Sequence, residues 1–278
     1  MERRQKPGLR RRFPVVNGIF YPECPETAAS QIASWGLKTG PAGGGQTILA
    51  PHGAWDLTGG IAASAFAAVQ KKNGIQSISR VLLLGTHHNA GEEGIYLSES
   101  AFFGHPRGDL PVDQKFNRRL ASCSPLIKLN DIPHLSEHSL EVLLPLVKYC
   151  FSEVKIVPIL MGGRKPALIS ALAGALKTCF ESCLEESLII VSSTVSQNSD
   201  PAVAFSMADE FSSILENMDT RTFFSRLAGG RISACGGAIL GALLESGLLE
   251  GKRFTSLCPM QQSIVENGET VYYGAFGA

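Results

Sequence analysis

The sequence predicts an α/β protein, a single-domain α/β/α sandwich with a mixed, largely parallel central sheet. Three short apolar runs, at 47–51, 80–85 and 187–193, lack the alternation of a half-exposed strand and are typical of strands covered on both faces. Segments of helical character separate these runs. Strands that alternate with helices in this way form a sheet packed between two helical layers.

The helices are predicted from apolar spacing and from small-residue content. In 27–37, Ile32, Trp35 and Leu37 mark an apolar face, whereas 59–72 is rich in alanine and could approach the sheet closely. Further helices are expected to open at Pro111 and at 136–139, and to cover 165–180, 201–217 and 235–246.

The remaining strands and loops are predicted from apolar runs and their breakers. Strands are expected at 94–98, 154–161, 252–258 and 270–276. Pro158 has no backbone N–H to donate, so we expect an edge or bulged position for it. The segments 52–58 and 102–111 are expected to be a loop and an irregular stretch, because glycine and proline interrupt the second of them.

Composition indicates a globular protein without an obvious polyanion or membrane partner. The chain has 278 residues, 44% of them hydrophobic, and a formal net charge of zero. These values predict no nucleic-acid partner and no membrane partner. Residues 1–12 are predicted to be a basic flexible tail, with a polyanion-binding arm as the alternative, and 13–278 to be one domain. No apolar run of signal-peptide length follows the tail, and the seven cysteines are an odd number, so we expect a cytoplasmic protein without a disulfide framework.

Two histidines follow predicted buried strands and are the first candidates for chemistry. His52 comes after the strand at 47–51, and His88 comes after the strand at 80–85. In open α/β sheets ligands bind beyond the carboxyl ends of the strands, so both imidazoles are candidate metal ligands. Cys235 precedes a glycine at a predicted helix start, where a thiol tends towards thiolate. Two imidazoles and one thiolate would suit copper, iron or zinc, while the alternatives are hydrogen-bonded strand-end histidines and an inert buried thiol.

His138 and Glu141 form a second candidate pair. Their i, i+3 spacing would place them on one helix turn, with the carboxylate orienting the histidine. The alternative is a helix cap next to a solvated pair.

A set of short motifs, in this order along nearly the whole chain, resembles the Memo family, also known as AmmeMemoRadiSam system protein B. The matching segments are Gly18–Pro22, Ala50–His52 with Gly59, Leu84–His88, Gly108–Asp113, Glu137–Glu141 with Leu144 and Pro145, Val157–Gly162, and Ala234–Gly236.

The resemblance implies a fold similar to that of class III extradiol dioxygenases and a bound iron or copper ion. The matching metal positions are His52, His88 and Cys235, and the thiolate would stand where the dioxygenases have a carboxylate. His138 and Glu141 would then be catalytic or supporting groups. The implied pocket residues are Trp55, His87, Thr194 and Gln197.

The sequence also departs from the family pattern. Thr194 replaces an aspartate and Gln197 replaces the histidine that would serve in acid–base catalysis, and glutamine cannot exchange a proton near neutral pH. We therefore expect metal-dependent redox or dioxygen chemistry on an unknown substrate. The alternative is a cleft without catalysis that binds a peptide or small ligand, with Trp55 in its wall, and that partners a radical-SAM enzyme.

Overall fold

The computed structural model describes residues 10–37, 45–73, 78–89, 91–265 and 267–278. The strands are β1 Arg11–Arg12, β2 Thr47–Ala50, β3 Arg80–Thr86, β4 Gly94–Leu97, β5 Phe102–His105, β6 Gly108–Pro111, β7 Ile127–Leu129, β8 Lys155–Gly162, β9 Ser187–Ser192, β10 Ser196–Asn198, β11 Thr255–Ser256, β12 Gln261–Ile264, β13 Thr270–Tyr273 and β14 Phe276–Gly277. The α-helices are α1 Pro25–Ser34, α2 Trp55–Asn73, α3 Gln114–Ala121, α4 Ile132–Ser136, α5 Leu144–Cys150, α6 Pro166–Phe180, α7 Pro201–Asn217, α8 Thr220–Ala228 and α9 Gly237–Glu245.

A sheet of eight strands forms the centre of the described fold, in the order β11-β14-β2-β9-β3-β8-β4-β7. The four strands β2, β9, β3 and β8 are parallel to one another, while β14 pairs with β2 and β4 pairs with β8 in the antiparallel sense. The expected mixed, largely parallel sheet is confirmed.

Both faces of the sheet are covered by helices. In β3, Leu82 and Leu84 pack into one core together with residues of α6, α7 and α9. Val81 and Leu83 point to the other face and pack with residues of α1, α2 and α5. Because successive side chains of a strand alternate between faces, a strand with apolar residues at every position is stable only when buried on both sides. This arrangement is the predicted α/β/α sandwich.

Two segments expected to be irregular are ordered elements. The helix expected from residue 59 already begins at Trp55, within the predicted loop. Residues 102–111 form the antiparallel pair β5 and β6, and β5 also pairs with β1. Gly108, at φ +107°, provides the backbone conformation that the turn between these strands requires. The turn residues were visible in the sequence, but the pairing with β1 was not.

The position expected for Pro158 is wrong. Pro158 lies in β8, an interior strand that pairs with β3 on one side and β4 on the other. The pairing between β8 and β4 extends from Gly162 to Ile159, so Pro158 itself has no partner in β4. The missing N–H is therefore tolerated inside the sheet.

The helix expected to open at 136–139 is also wrong. Ser136 instead ends α4, Glu137 has an extended backbone, and a 3-10 turn over Glu141–Leu143 leads into α5. The predicted C-terminal strands shrink to β11, β13 and β14. The short elements α4, α8, β7 and β12 were not predicted.

The end of the basic segment belongs to the ordered fold. Residues 1–9 of the predicted tail lie outside the described residues. Arg11 and Arg12 form β1, and the buried side chain of Arg12 makes an ion pair with Glu141. In the described part of the chain, no helix has the length and apolar character needed to cross a bilayer.

Candidate metal centre

The candidate site lies at the carboxyl ends of three neighbouring strands. β2, β9 and β3 are adjacent and parallel, so the residues that follow them meet at one edge of the sheet. These residues include His52 after β2, Thr194 after β9 and His88 after β3. Gly85, near the end of β3, lets the loop at 137–140 cross closely, because a Cβ there would lie 2.5 Å from Cδ2 of Leu140.

The three histidines His52, His88 and His138 form a cluster. Each offers a ring nitrogen, and these atoms all lie within 4.8 Å of one another. The rings of His88 and His138 are stacked with centroids 5.1 Å apart, and the ring of His52 lies 5.2 Å and 5.6 Å from them. The structure thus brings His138 into one cluster with the two strand-end histidines.

A hydrogen-bond chain fixes the ring of His52. The Ser192 hydroxyl donates to the Ser139 carbonyl at 2.6 Å, so its oxygen is left to accept from Nδ1 of His52 at 2.8 Å. This network places a proton on Nδ1 of His52. Its Nε2 atom faces Cys235, whose Sγ lies 3.5 Å away, within hydrogen-bond distance for sulfur.

Glu137 fixes the ring of His88. Its buried carboxylate accepts from Nδ1 of His88 at 2.9 Å and from the backbone N–H groups of His88 at 2.7 Å and Ser139 at 2.8 Å. Burial would raise the pKa of Glu137, but the hydrogen bonds and charge of His88 outweigh it and hold that pKa well below its usual range. Burial would lower the pKa of His88, but hydrogen bonds and charge from Cys235 and Glu137 raise it to about 10.

Cys235 sits in a loop that the surrounding structure holds in place. Thr86 donates to the Cys235 carbonyl at 2.7 Å, and Arg164 donates to the Ile232 carbonyl at 2.7 Å. The Sγ atom accepts hydrogen bonds from the backbone N–H of Thr194 at 3.1 Å and from its hydroxyl at 3.3 Å. Burial would raise the pKa of Cys235, but charge and hydrogen bonds from His52 and His88 lower it well below that of an ordinary thiol.

His138 is a neutral imidazole next to the rings of His52 and His88. Burial and the neighbouring His52 lower the pKa of His138 to about 4. Its ring also makes an edge contact with Phe20, with centroids 5.1 Å apart. A neutral ring can act as a ligand or as a hydrogen-bond partner near pH 7.

The two residues that depart from the family pattern both lie at the site. Thr194 supports the Cys235 sulfur with neutral donors, where an aspartate would bring a second negative charge. The Gln197 amide nitrogen donates to the Glu269 carboxylate, which also accepts from Asn267. Gln197 is therefore held in the cavity wall by Glu269, which lies in the loop before β13.

Three other predicted site residues are placed elsewhere. Glu141 accepts from Arg12, from the backbone N–H groups of Val15 and Val16, and from the Tyr21 hydroxyl. It therefore anchors the N-terminal segment, and the carboxylate that orients a site histidine is Glu137.

Trp55 and His87 are both buried beside the site. Trp55 donates from Nε1 to the Val142 carbonyl at 3.1 Å, and His87 lies 3.0 Å from a Glu92 carboxylate oxygen. Neither is among the described residues that line the cavity.

A cavity of about 470 Å³ opens beside the histidines, within the range of small-molecule sites. His52, His88, His138, Cys235, Thr194 and Gln197 line it together with apolar side chains that include Phe20, Leu57, Ile264, Val271 and Tyr273. The apolar residues were missed by sequence reasoning, since nothing in a short hydrophobic segment distinguishes a cavity wall from the core.

The donor set fits a transition metal. Tetrahedral bonds of about 2.0–2.1 Å to nitrogen and about 2.3 Å to sulfur place the two donors about 3.5 Å apart. The Nε2 of His52 and the Sγ of Cys235 are 3.5 Å apart. One ring nitrogen each of His88 and His138 lies within 4.8 Å of the His52 nitrogen.

Comparison with known proteins places this geometry in context. A family model described as Memo-like protein matches residues 12–270. A MEMO1 family protein of Desulfurococcus amylolyticus is 28% identical over 255 residues, which cover 85% of this chain and 87% of that protein. Another from Thermotoga neapolitana is 27% identical over 251 residues, with 85% and 88% covered. A third, from Saccharolobus solfataricus, is 25% identical over 260 residues, with 88% and 90% covered.

Proposed function

The chain belongs to the Memo family, and from this premise we propose that it holds a redox-active copper or iron ion at His52, His88 and Cys235. His138 lies beside these three residues and is a neutral hydrogen-bonding group in this proposal. The protein would use the centre for redox or dioxygen chemistry on a small molecule bound in the adjacent cavity.

The orientation of the two strand-end histidines carries the proposal. Ser192 and Glu137 each engage an Nδ1 atom, so Nε2 of His52 lies 3.5 Å from the Cys235 Sγ, and Nε2 of His88 is left to interact with the same sulfur. Metal-binding histidines are commonly fixed in this way, with the second ring nitrogen donating to a protein acceptor. Because the hydrogen bond at Nδ1 already fixes the ring, metal binding would cost less side-chain conformational entropy.

The protonation states of His88 and Cys235 are compatible with metal binding. In the metal-free protein the raised pKa of His88 and the lowered pKa of Cys235 favour an imidazolium next to a thiolate. Binding of a cation would displace the proton from His88. Because a thiolate is a soft ligand, this site would prefer copper(I) more strongly than a site made only of nitrogen and oxygen ligands would.

A bound copper or iron ion would supply one-electron transfer or activation of dioxygen. The chain's own residues would position the ligand and hold protons. His138, whose pKa is lowered to about 4, could accept a hydrogen bond from a substrate hydroxyl near neutral pH. Gln197 could orient a substrate but could not exchange a proton with it.

One observation favours the alternative of a binding protein. Gln197 occupies the expected acid–base position, and its amide is engaged by Glu269. Such a site could retain ligand binding without turnover, and partnership with a radical-SAM enzyme would then be the expected role. Activity with dioxygen separates the two candidates.

Metal analysis of protein purified without chelators tests the proposal. We expect close to one copper or iron ion per chain, and a loss of most of it in a His52→Ala/His88→Ala double variant. Cys235→Ser should lower the metal content, whereas Cys24→Ser, at an exposed free cysteine, should not. Equal metal contents in the wild type and the double variant would refute the metal centre. Oxygen consumption in the metal-loaded wild type would favour an enzyme, and bound metal without consumption would favour the binding protein.

A further inference from the structure

The cavity beside the proposed metal centre is lined by polar and apolar side chains. The polar ones are the histidine cluster with Cys235, Thr194 and Gln197, and the apolar ones include Phe20, Leu57, Ile264 and Val271. The ring nitrogens of the three histidines lie within 4.8 Å of one another, so much of the polar lining is concentrated there. A ligand that fills the cavity would meet this cluster with one part of its surface and apolar side chains with much of the rest.

The apolar lining is assembled from separate parts of the chain. Leu57 lies in the first turn of α2, Ile264 ends β12 and Val271 lies in β13. Leu57 is 49% exposed and Ile264 is 73% exposed. Large apolar side chains that meet at the mouth of a cavity and remain in water are typical of a surface covered by a ligand.

The charges around the cavity disfavour an anionic ligand. None of the fourteen described lining residues is a lysine, arginine, aspartate or glutamate. The opposite charges of the His88 ring and the Cys235 sulfur offset each other within the lining, and the carboxylates that hydrogen-bond to described lining side chains are Glu137 on His88 and Glu269 on Gln197. Sites for carboxylates or phosphates normally present arginine or lysine, which this lining lacks in the described residues.

We propose that the cavity binds an uncharged, mostly apolar small molecule with a single polar group, such as a hydroxyl, and that it discriminates against carboxylated analogues. The inference rests on the proposed function only in assigning the polar group to the metal centre. The apolar ring or chain of the ligand would contact Phe20, Leu57, Ile264 and Val271.

A matched pair of probes tests the charge preference. 2-Naphthol and 2-naphthoate share a bicyclic ring, but only the second is anionic at pH 7. We expect isothermal titration of the full chain, after removal of metal by a chelator, to give at least about tenfold tighter binding of 2-naphthol, a difference of about 1.4 kcal/mol. Equal or tighter binding of 2-naphthoate would overturn the proposal, and so would dissociation constants above about 1 mM for both probes.

A matched pair of variants tests the location. Ile264→Asn should weaken 2-naphthol binding about fivefold to tenfold, because the side chain lines the cavity. Ile132→Asn changes the same residue type at 68% exposure outside the lining and should leave the affinity unchanged. Both sites are exposed, and thermal melting would verify that each variant folds. Equal effects of the two substitutions would place the ligand elsewhere and overturn the proposal.

The titrations, taken together with the metal analysis, distinguish failure of this proposal from failure of the proposed metal centre. If 2-naphthol binds but no preparation contains metal, the proposed function fails and the ligand preference stands. If metal is bound through the histidines but 2-naphthoate is preferred in the metal-free protein, the ligand preference fails and the metal centre stands.

Discussion

Glu137 accepts two hydrogen bonds from His88, one from ring Nδ1 at 2.9 Å and one from the backbone N–H at 2.7 Å. The two residues are 49 positions apart in the chain, yet the carboxylate fixes both the main chain and the ring of the histidine. A third hydrogen bond, from the Ser139 N–H, holds the loop that carries His138. One buried carboxylate therefore orients two of the three clustered histidines.

Replacing this carboxylate should weaken the metal centre. We expect Glu137→Gln to lower metal affinity about tenfold to 100-fold, because an amide removes the charge that raises the basicity of His88. Competition with a chromophoric chelator measures the change. Glu153→Gln, at an exposed glutamate, serves as the control and should bind as the wild type does. Equal affinities for the two variants would show that Glu137 does not tune the site.

The thiol of Cys235 should react at unusually low pH in the metal-free protein. An ordinary cysteine has a pKa of about 8.5, so its alkylation rises about tenfold per pH unit below that value. The pKa of Cys235 is lowered because nearby His52 and His88 stabilise the thiolate, so its rate should rise much less steeply between pH 6 and 8 than that of an ordinary thiol. Iodoacetamide labelling followed by mass spectrometry of the Cys235 peptide measures this profile.

A variant at His52 tests the cause of that shift. His52→Ala removes a stabilising neighbour and should raise the pKa, so that labelling again increases with pH over this range. Added copper should protect Cys235 in the wild type but not Cys24. A wild-type rate that climbs about tenfold per pH unit from pH 6 to 8, as for an ordinary thiol, would contradict a lowered pKa.

Adjacent arginines should differ strongly in their contribution to stability. Arg12 is buried, pairs with Glu141, and donates to the carbonyls of His134 and Glu137. Arg12→Ala leaves a buried carboxylate without its counter-ion and should lower the free energy of unfolding by about 3–5 kcal/mol. Arg11 makes a partly exposed pair with Asp109, so Arg11→Ala should cost less than about 1 kcal/mol.

Urea denaturation of both variants measures the difference. Circular dichroism before denaturation verifies that each variant is folded. Similar losses for the two arginines would mean that burial does not distinguish the pairs.

Close packing at Gly236 should couple the Cys235 loop to the end of β9. A Cβ at this position would lie 2.6 Å from Cβ of Ser193 and 2.9 Å from the Ser192 carbonyl oxygen. Gly236→Ala should therefore destabilise the protein by roughly 1–3 kcal/mol and reduce metal occupancy. Gly174→Ala, in α6 with no atom within 4 Å of the added carbon, should stabilise it by about 0.5–1 kcal/mol. Unchanged metal content in folded Gly236→Ala protein would argue against this coupling.

The sequence by itself determined the layered fold and the strand-end histidines. A run such as 80–85 lacks the alternation of a half-exposed strand, which indicates an interior strand covered on both faces. The polar residues that follow the run are then expected at the end of that strand. This reasoning located His52 and His88 at one edge of the sheet. It could not give the order of the strands, which depends on pairing between distant segments.

Only the tertiary structure decided which groups support those histidines. Helical periodicity paired His138 with Glu141, but the backbone is extended at Glu137 and the helix does not form there. Long-range hydrogen bonds hold this loop instead, from Glu137 to His88 and from Ser192 to Ser139. These interactions outweigh local helical preference, because each satisfies a buried polar group that would otherwise be left without a partner. The sequence shows the local preference but not the distant partners.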